Sequence, residues 1–177
     1  MVWMETTIRR GVPHDVPAVL GLMDDAVRWL ADRGRTGQWG TERQSTDPRR
    51  IATFTTWADA GELWVAERVR TTVGALAVGT APGHVPAATE PERYVNLLIT
   101  DRAHAGRGIG RTLLDHARAL ARADGVGLLR VDCYGGDDRA LVRYYEREGF
   151  TATEPFTVDT PRGPWPGQVL EQRVPAS

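Results

Sequence analysis

Among 177 residues there is not one lysine; all 22 basic side chains are arginine. That absence excludes the lysine of a P-loop, a pyridoxal-phosphate Schiff base and a lysine nucleophile together. Cysteine is nearly missing too. The single Cys133 excludes an internal disulfide and any cysteine-rich metal site. The four histidines, His14, His84, His104 and His116, have no mutual spacing that would hold a metal. Charge of one sign is missing as well: the net charge is −1, so no basic field recruits nucleic acid or an anionic membrane. No apolar run approaches membrane-spanning length, and the opening MVWMETTIRRG lacks the apolar stretch of a signal peptide. The expectation is a soluble, cytoplasmic protein with no nucleic-acid partner, no membrane and no metal.

What remains is an ordinary core-forming composition, 41% hydrophobic and 25% charged, on a chain long enough to bury one real core. Apolar residues recur at three- and four-residue spacing from Val19 to Leu30, which predicts a helix that starts at an Asp15 cap and ends at Gly34. Asp47-Pro48 opens a second helix through about Ala60. ELWVAERV and TTVGALAVG read as a hairpin joined at Arg70 and Thr71. After a proline-rich loop, RYVNLLIT (Arg93 to Thr100) is an apolar strand. A helix from about Gly108 then buries Ile109, Leu113, Leu114, Ala117, Leu120 and Ala121. VGLLRVDCY is a strand, DDRALVRYYEREGF a short helix closed by Gly149, and TATEPFTV and GQVLEQRV are two last strands across a Pro/Gly turn. The order is β-α-α-β-β-β-α-β-α-β-β. With no repeat and no linker, residues 1–177 read as a single α/β domain.

Between the Arg93–Thr100 strand and its helix lies AHAGRGIGR, in which Gly106, Gly108 and Gly110 alternate with Arg107 and Ile109. A glycine loop feeding a helix N-terminus offers backbone N–H groups and the positive end of a dipole to an anion. A dinucleotide fingerprint would need its third glycine at 111, where Arg111 stands, and would belong in an opening βαβ unit. Loop and distant helix together resemble a known family. AGRGIG between strand and helix, followed some forty residues later by YYEREGF, is similar to the GNAT superfamily of acetyl-CoA-dependent N-acetyltransferases.

The resemblance covers nearly the whole chain and implies an α/β (α+β) fold, with a mixed, mostly antiparallel central sheet flanked by helices. It implies acetyl-CoA as co-substrate, its pyrophosphate on the loop from Ala105 and Gly106 to Arg111. It assigns the thioester carbonyl and pantetheine contacts to backbone groups of Leu98, Ile99 and Thr100. Where the family has Arg or Gln, this chain has Ala105, which removes a side-chain donor and leaves Arg107 and Arg111 to supply charge. Family members are often dimers, so a homodimer is carried as an analogy.

Acetyl transfer needs a neutral amine, a polarised carbonyl, aligned reactants and a proton for the departing thiolate. The family pattern places the proton donor at Tyr145, four residues before Gly149-Phe150; its neighbour Tyr144 would point about 100° away on a helix. Glu92, Asp132, Asp137 and Asp138 remain open as general bases, each with a capping or solvated role as its alternative. Trp39, flanked in GQWG by polar and glycine residues, is either an acceptor contact or a surface staple. The function implied is transfer of an acetyl group to the primary amine of a small molecule by direct attack on the thioester. Protein N-terminal or lysine acetylation, and a non-catalytic acyl-CoA sensor, stand as alternatives.

Overall fold

The computed structural model describes residues 4–176; residues 1–3 and Ser177 of the expected domain lie outside that range. The elements are β1 (Thr7–Arg10), α1 (Val16–Ala31), α2 (Pro48–Asp59), β2 (Leu63–Arg68), β3 (Thr71–Gly79), β4 (Arg93–Thr100), α3 (Ile109–Ala123), β5 (Leu128–Tyr134), α4 (Ala140–Arg147), β6 (Thr151–Thr160) and β7 (Gly163–Arg173). The strands form a seven-stranded sheet in the order β1-β2-β3-β4-β5-β7-β6. β4 and β5 pair in parallel, whereas β1–β2, β2–β3, β5–β7 and β6–β7 are antiparallel. No helix among the described residues is long and apolar enough to cross a membrane. The chain divides into two compact units, one running to Val78 and resuming over Leu97–Asp115, the other taking Gly79–Asn96 and the residues from His116 on.

In the first unit the apolar stripe of α1 (Val19, Leu20, Met23, Ala26) and Phe54 and Ala58 of α2 pack on Leu63 and Val65 of β2. Ala75 and Ala77 of β3 and Leu97 and Ile99 of β4 complete the layer. Each large side chain buried here contributes roughly 1.5–3 kcal/mol, against about 0–1 for an exposed ion pair, so the apolar layer dominates. Two local expectations change. Asp15 occupies the position before α1, but its carboxylate does not cap that helix; it takes the Val12 amide at 2.8 Å and both Arg9 guanidinium nitrogens at 2.8 and 2.9 Å. The β2–β3 turn falls on Val69 and Arg70, not on Arg70 and Thr71. Both adopt positive φ (47° and 61°), the twist that a two-residue hairpin loop demands even without glycine.

Asp24, buried on the inward side of α1, latches the segment before α2. It accepts from the amides of Gln44 (2.6 Å) and Ser45 (3.1 Å) and from the Ser45 hydroxyl (2.5 Å). Burial alone pushes this carboxyl up, but these hydrogen bonds and the Arg43 guanidinium outweigh it and hold the pKa below the ordinary 3.8. A folded-state pKa below the unfolded one means the stabilisation is complete above about 3.8 and is lost as the pH falls through the folded value. Asp24→Ala, which leaves two amides without their acceptor, is expected to cost on the order of 2–3 kcal/mol. Asp24→Asn should remove this group's share of the acid-side loss. Urea unfolding at pH 7 and pH 3 measures both.

In the second unit β4 pairs with β5 at Arg93, Tyr94 and Val95, β5 pairs along its whole length with β7, and β6 closes the edge. The β6–β7 hairpin is longer than the sequence suggests, since β7 begins at Gly163. Pro164 and Pro166 sit within β7 opposite Asp159 and Thr157, and the turn shrinks to residues 161–162. Leu120, expected in the core, is half-buried, while Ala117 and Ala121 are sealed. Of the two expected caps of α4, Asp138 does the work, accepting the Ala140 amide at 3.0 Å; Asp137 instead adopts a left-handed φ of 53°.

Candidate functional site

The glycine loop lies in the first unit, immediately after β4. Asp101 turns the chain: its carboxylate takes the Ala103 amide at 2.9 Å and contacts His104 Nδ1 at 3.0 Å. The His104 carbonyl accepts the Arg107 amide at 3.3 Å. Gly106 and Gly108 both have strongly positive φ, 77° and 74°, a conformation that a side chain strains. A Cβ at either would meet no protein atom within 4 Å, so the side of the loop a side chain would fill is open. The first bond of α3 runs from the Thr112 amide to the Gly108 carbonyl at 3.0 Å. The amides of Gly108, Ile109 and Gly110 therefore precede the internally bonded part of the helix, where backbone donors and the dipole favour an anion. Ile109 itself is buried, anchoring the helix start, whereas Ala105, Gly106, Arg107 and Arg111 are exposed and Gly110 half-exposed.

Of the three β4 residues expected to serve through backbone groups, Ile99 is buried in the core while Leu98 and Thr100 are half-exposed. None of the three takes part in the Arg93–Val95 ladder. Ile99 also approaches β3: its carbonyl stands 3.1 Å from where a Cβ on Gly74 would be.

Tyr145 lies in the second unit on α4. Its ring is buried edge-on against Phe150 (centroids 5.6 Å) and Tyr144 (5.2 Å). Burial, with Cys133, Tyr144 and Asp132 nearby, raises the phenol well above 10, so it is protonated at neutral pH. Cys133 on β5 is buried, and burial, with Asp132 beside it, pushes its thiol up to about 12, which makes it an inert packing group. Tyr144 is half-buried, and the α4 register sets the two side chains about 100° apart although their rings touch.

The carboxylates proposed as bases separate. Glu92 is tied to the Arg130 guanidinium at 2.9 Å, Asp138 caps α4, and Asp137 is exposed. Asp132 differs from all three: burial raises its pKa, and the Tyr94 hydroxyl donates to its Oδ1 at 2.5 Å. A carboxylate shifted upward is better matched to taking a proton near neutral pH. Tyr94, fully buried, and Arg130 were not singled out from the sequence. The available signal was a charged or polar residue at every second place, Arg130, Asp132 and Tyr134, on an otherwise apolar strand.

Trp39 is half-buried and packs on the α1–α2 core layer of the first unit. Trp39→Ala is accordingly expected to cost roughly 2 kcal/mol, below the 3–5 typical of a fully buried tryptophan, visible as a lower thermal midpoint. An unchanged midpoint with a raised amine KM would assign it to the acceptor instead.

Residues 22–150 match the model of the acetyltransferase (GNAT) family. An uncharacterised N-acetyltransferase, YesJ of Bacillus subtilis (strain 168), is 26% identical over 150 residues, covering 78% of each chain. A mycothiol acetyltransferase of Beutenbergia cavernae is 35% identical over 126 residues, 70% of this chain, but the chain spans only 40% of that relative's length. Among solved structures, the acetyltransferase yncA of Salmonella typhimurium, determined with its cofactor acetyl-CoA, matches with a TM-score of 0.66 at 20% identity. That match covers 97% of this chain and 95% of the other and establishes a shared fold.

Proposed function

Because the chain belongs to the GNAT acetyltransferase family, we propose that it transfers an acetyl group from acetyl-CoA to the primary amine of a small molecule. The observation that carries this reading is the loop after β4, where Gly106 and Gly108 hold positive φ and open onto the start of α3. That is the backbone a pyrophosphate needs, and it compensates for Ala105 because amides, not the missing side chain, supply most of the donors. A net charge of −1 gives no field for a strongly charged polymeric acceptor, which favours a small molecule.

The amine lone pair attacks the thioester carbonyl carbon, the C–S bond breaks, and the sulfur leaves with the bonding pair. Backbone N–H groups of Leu98 to Thr100 stabilise the oxyanion, a contribution typically worth 10²–10³ in rate, roughly. Tyr145 gives its phenolic proton to the thiolate. Burial keeps that phenol protonated at neutral pH, so the proton is there to give. Asp132, the upward-shifted carboxylate, receives the proton that the attacking nitrogen releases.

The test is thiol release from acetyl-CoA in the presence of a panel of primary amines. Amine-dependent release supports the reading. Tight coenzyme A binding without release on any amine would favour the acyl-CoA sensor that Ala105 keeps in view.

A further inference from the structure

The surface of the second unit built by β5, β7 and β6 presents a second constellation. In the ladder Asp132 stands opposite Val169, Tyr134 opposite Gly167, Phe156 opposite the same Gly167, and Val158 opposite Trp165. Paired residues share a face and every second residue returns to it, so Asp132, Tyr134, Phe156 and Trp165 rise from one surface. Their rings form an arc. Tyr134 and Trp165 lie 5.6 Å apart, Trp165 and Phe156 6.2 Å, and Phe156 and His84, from the loop before β4, 5.8 Å. Gly167 is what lets the arc lie down on the sheet, since a Cβ there would run into the Phe156 ring. Phe156 packs on the buried Val85, Tyr94 and Val169, yet Tyr134, Phe156 and Trp165 stay half-exposed and His84 is exposed, so the arc keeps an accessible aromatic surface.

Asp132 stands on the same face, two residues before Tyr134 on β5. Tyr94 donates to Oδ1, which leaves Oδ2 without a side-chain partner among the described residues. The basic groups that face it do not fill that place. Arg130 is held by Glu92 at 2.9 Å and by the Pro86 carbonyl at 2.7 Å, and His84 acts on Asp132 only through space while its ring lies against Phe156. A largely desolvated carboxylate next to half-exposed aromatic rings is complementary to one class of ligand: an ammonium group carrying a flat apolar body.

We propose that this surface binds the acceptor and selects arylalkyl amines, with the ammonium on Asp132 and the ring of the substrate against Phe156 and Trp165. The proposal rests on the acetyl-transfer reading above and names the acceptor class for it. An aliphatic amine of equal charge would satisfy Asp132 but leave the rings wet; an uncharged aryl alcohol would cover the rings but leave the carboxylate unpaired.

Titration calorimetry on the full chain, with and without saturating coenzyme A, tests this with three probes: 2-phenylethylamine, hexylamine and 2-phenylethanol. The expected result is that 2-phenylethylamine binds at least tenfold more tightly than either of the others, about 1.4 kcal/mol. Asp132→Asn should erase its advantage over the alcohol, and Trp165→Leu its advantage over hexylamine. Equal binding of hexylamine and 2-phenylethylamine by the unaltered protein overturns the proposal without any variant having to fold. So does survival of both preferences in the two variants. Thiol release, followed in parallel, keeps the two readings apart. Aryl preference in binding without release on any amine removes the transfer reading and leaves the platform; release on aliphatic amines with no aryl preference removes the platform alone.

Discussion

Tyr145→Phe lowers kcat at least tenfold while the thermal midpoint stays near that of the unaltered protein. The substitution removes one hydroxyl and keeps the ring, and it is the ring that packs edge-on against Phe150 and Tyr144. Among the described residues no hydrogen bond depends on that hydroxyl, so the core barely notices its loss. The departing thiolate loses its proton source, and general acid help is worth roughly 10²–10⁴ in rate; tenfold is what remains if water substitutes in part. Tyr144→Phe is the control, on the half-buried neighbour about 100° round the helix, and should leave kcat within a few-fold. Steady-state kinetics on both variants decides. Near-full kcat in Tyr145→Phe means the thiolate leaves unassisted, and greater damage from Tyr144→Phe shifts the assignment by one residue.

Gly108→Val weakens coenzyme A binding at least tenfold. Two penalties act together. With φ at 74°, a β-branched residue is held where L side chains are strained, a cost of about 1–3 kcal/mol. The new side chain also enters the space that no protein atom occupies within 4 Å, the space proposed for the pyrophosphate. The strain also lowers the thermal midpoint, but no clash adds to it, because that space is open and the buried Ile109 anchors the start of α3. Calorimetry with coenzyme A, alongside a thermal melt, separates lost affinity from lost structure. Unchanged affinity would sink the pyrophosphate assignment.

Local signals were enough for most of the fold. Val19 to Leu30 repeats at helical spacing, Asp47-Pro48 carries its own cap and start, and Arg93–Thr100 is a strand over the range that its apolar pattern suggests. Errors fell where local chemistry competes. Val69 takes a left-handed turn position that composition would hand to Asn or Gly, because the twist of β2 and β3 imposes it. Pro164 and Pro166 look like turn residues but lie in β7, where an edge pairing with β6 tolerates them. Asp15 reads as a helix cap, yet Arg9, six residues earlier, competes for its carboxylate and wins.

By itself the sequence determined the order of elements, the glycine loop at the start of α3 and the place of Tyr145, because each depends on neighbours within a few residues. Backbone propensity, periodicity and capping are short-range forces, and they leave a readable trace. Only the tertiary structure decided what each carboxylate and aromatic faces. Glu92 meets Arg130 and Tyr94 meets Asp132 across 38 residues of chain in both cases. Alternation along β5 says which residues share a face but not which strand lies alongside. The register with β7 and β6 brings Asp132, Tyr134, Phe156 and Trp165 onto one surface. Trp39, flanked by polar and glycine residues, is drawn onto the core by helices α1 and α2, and no local pattern announces that contact.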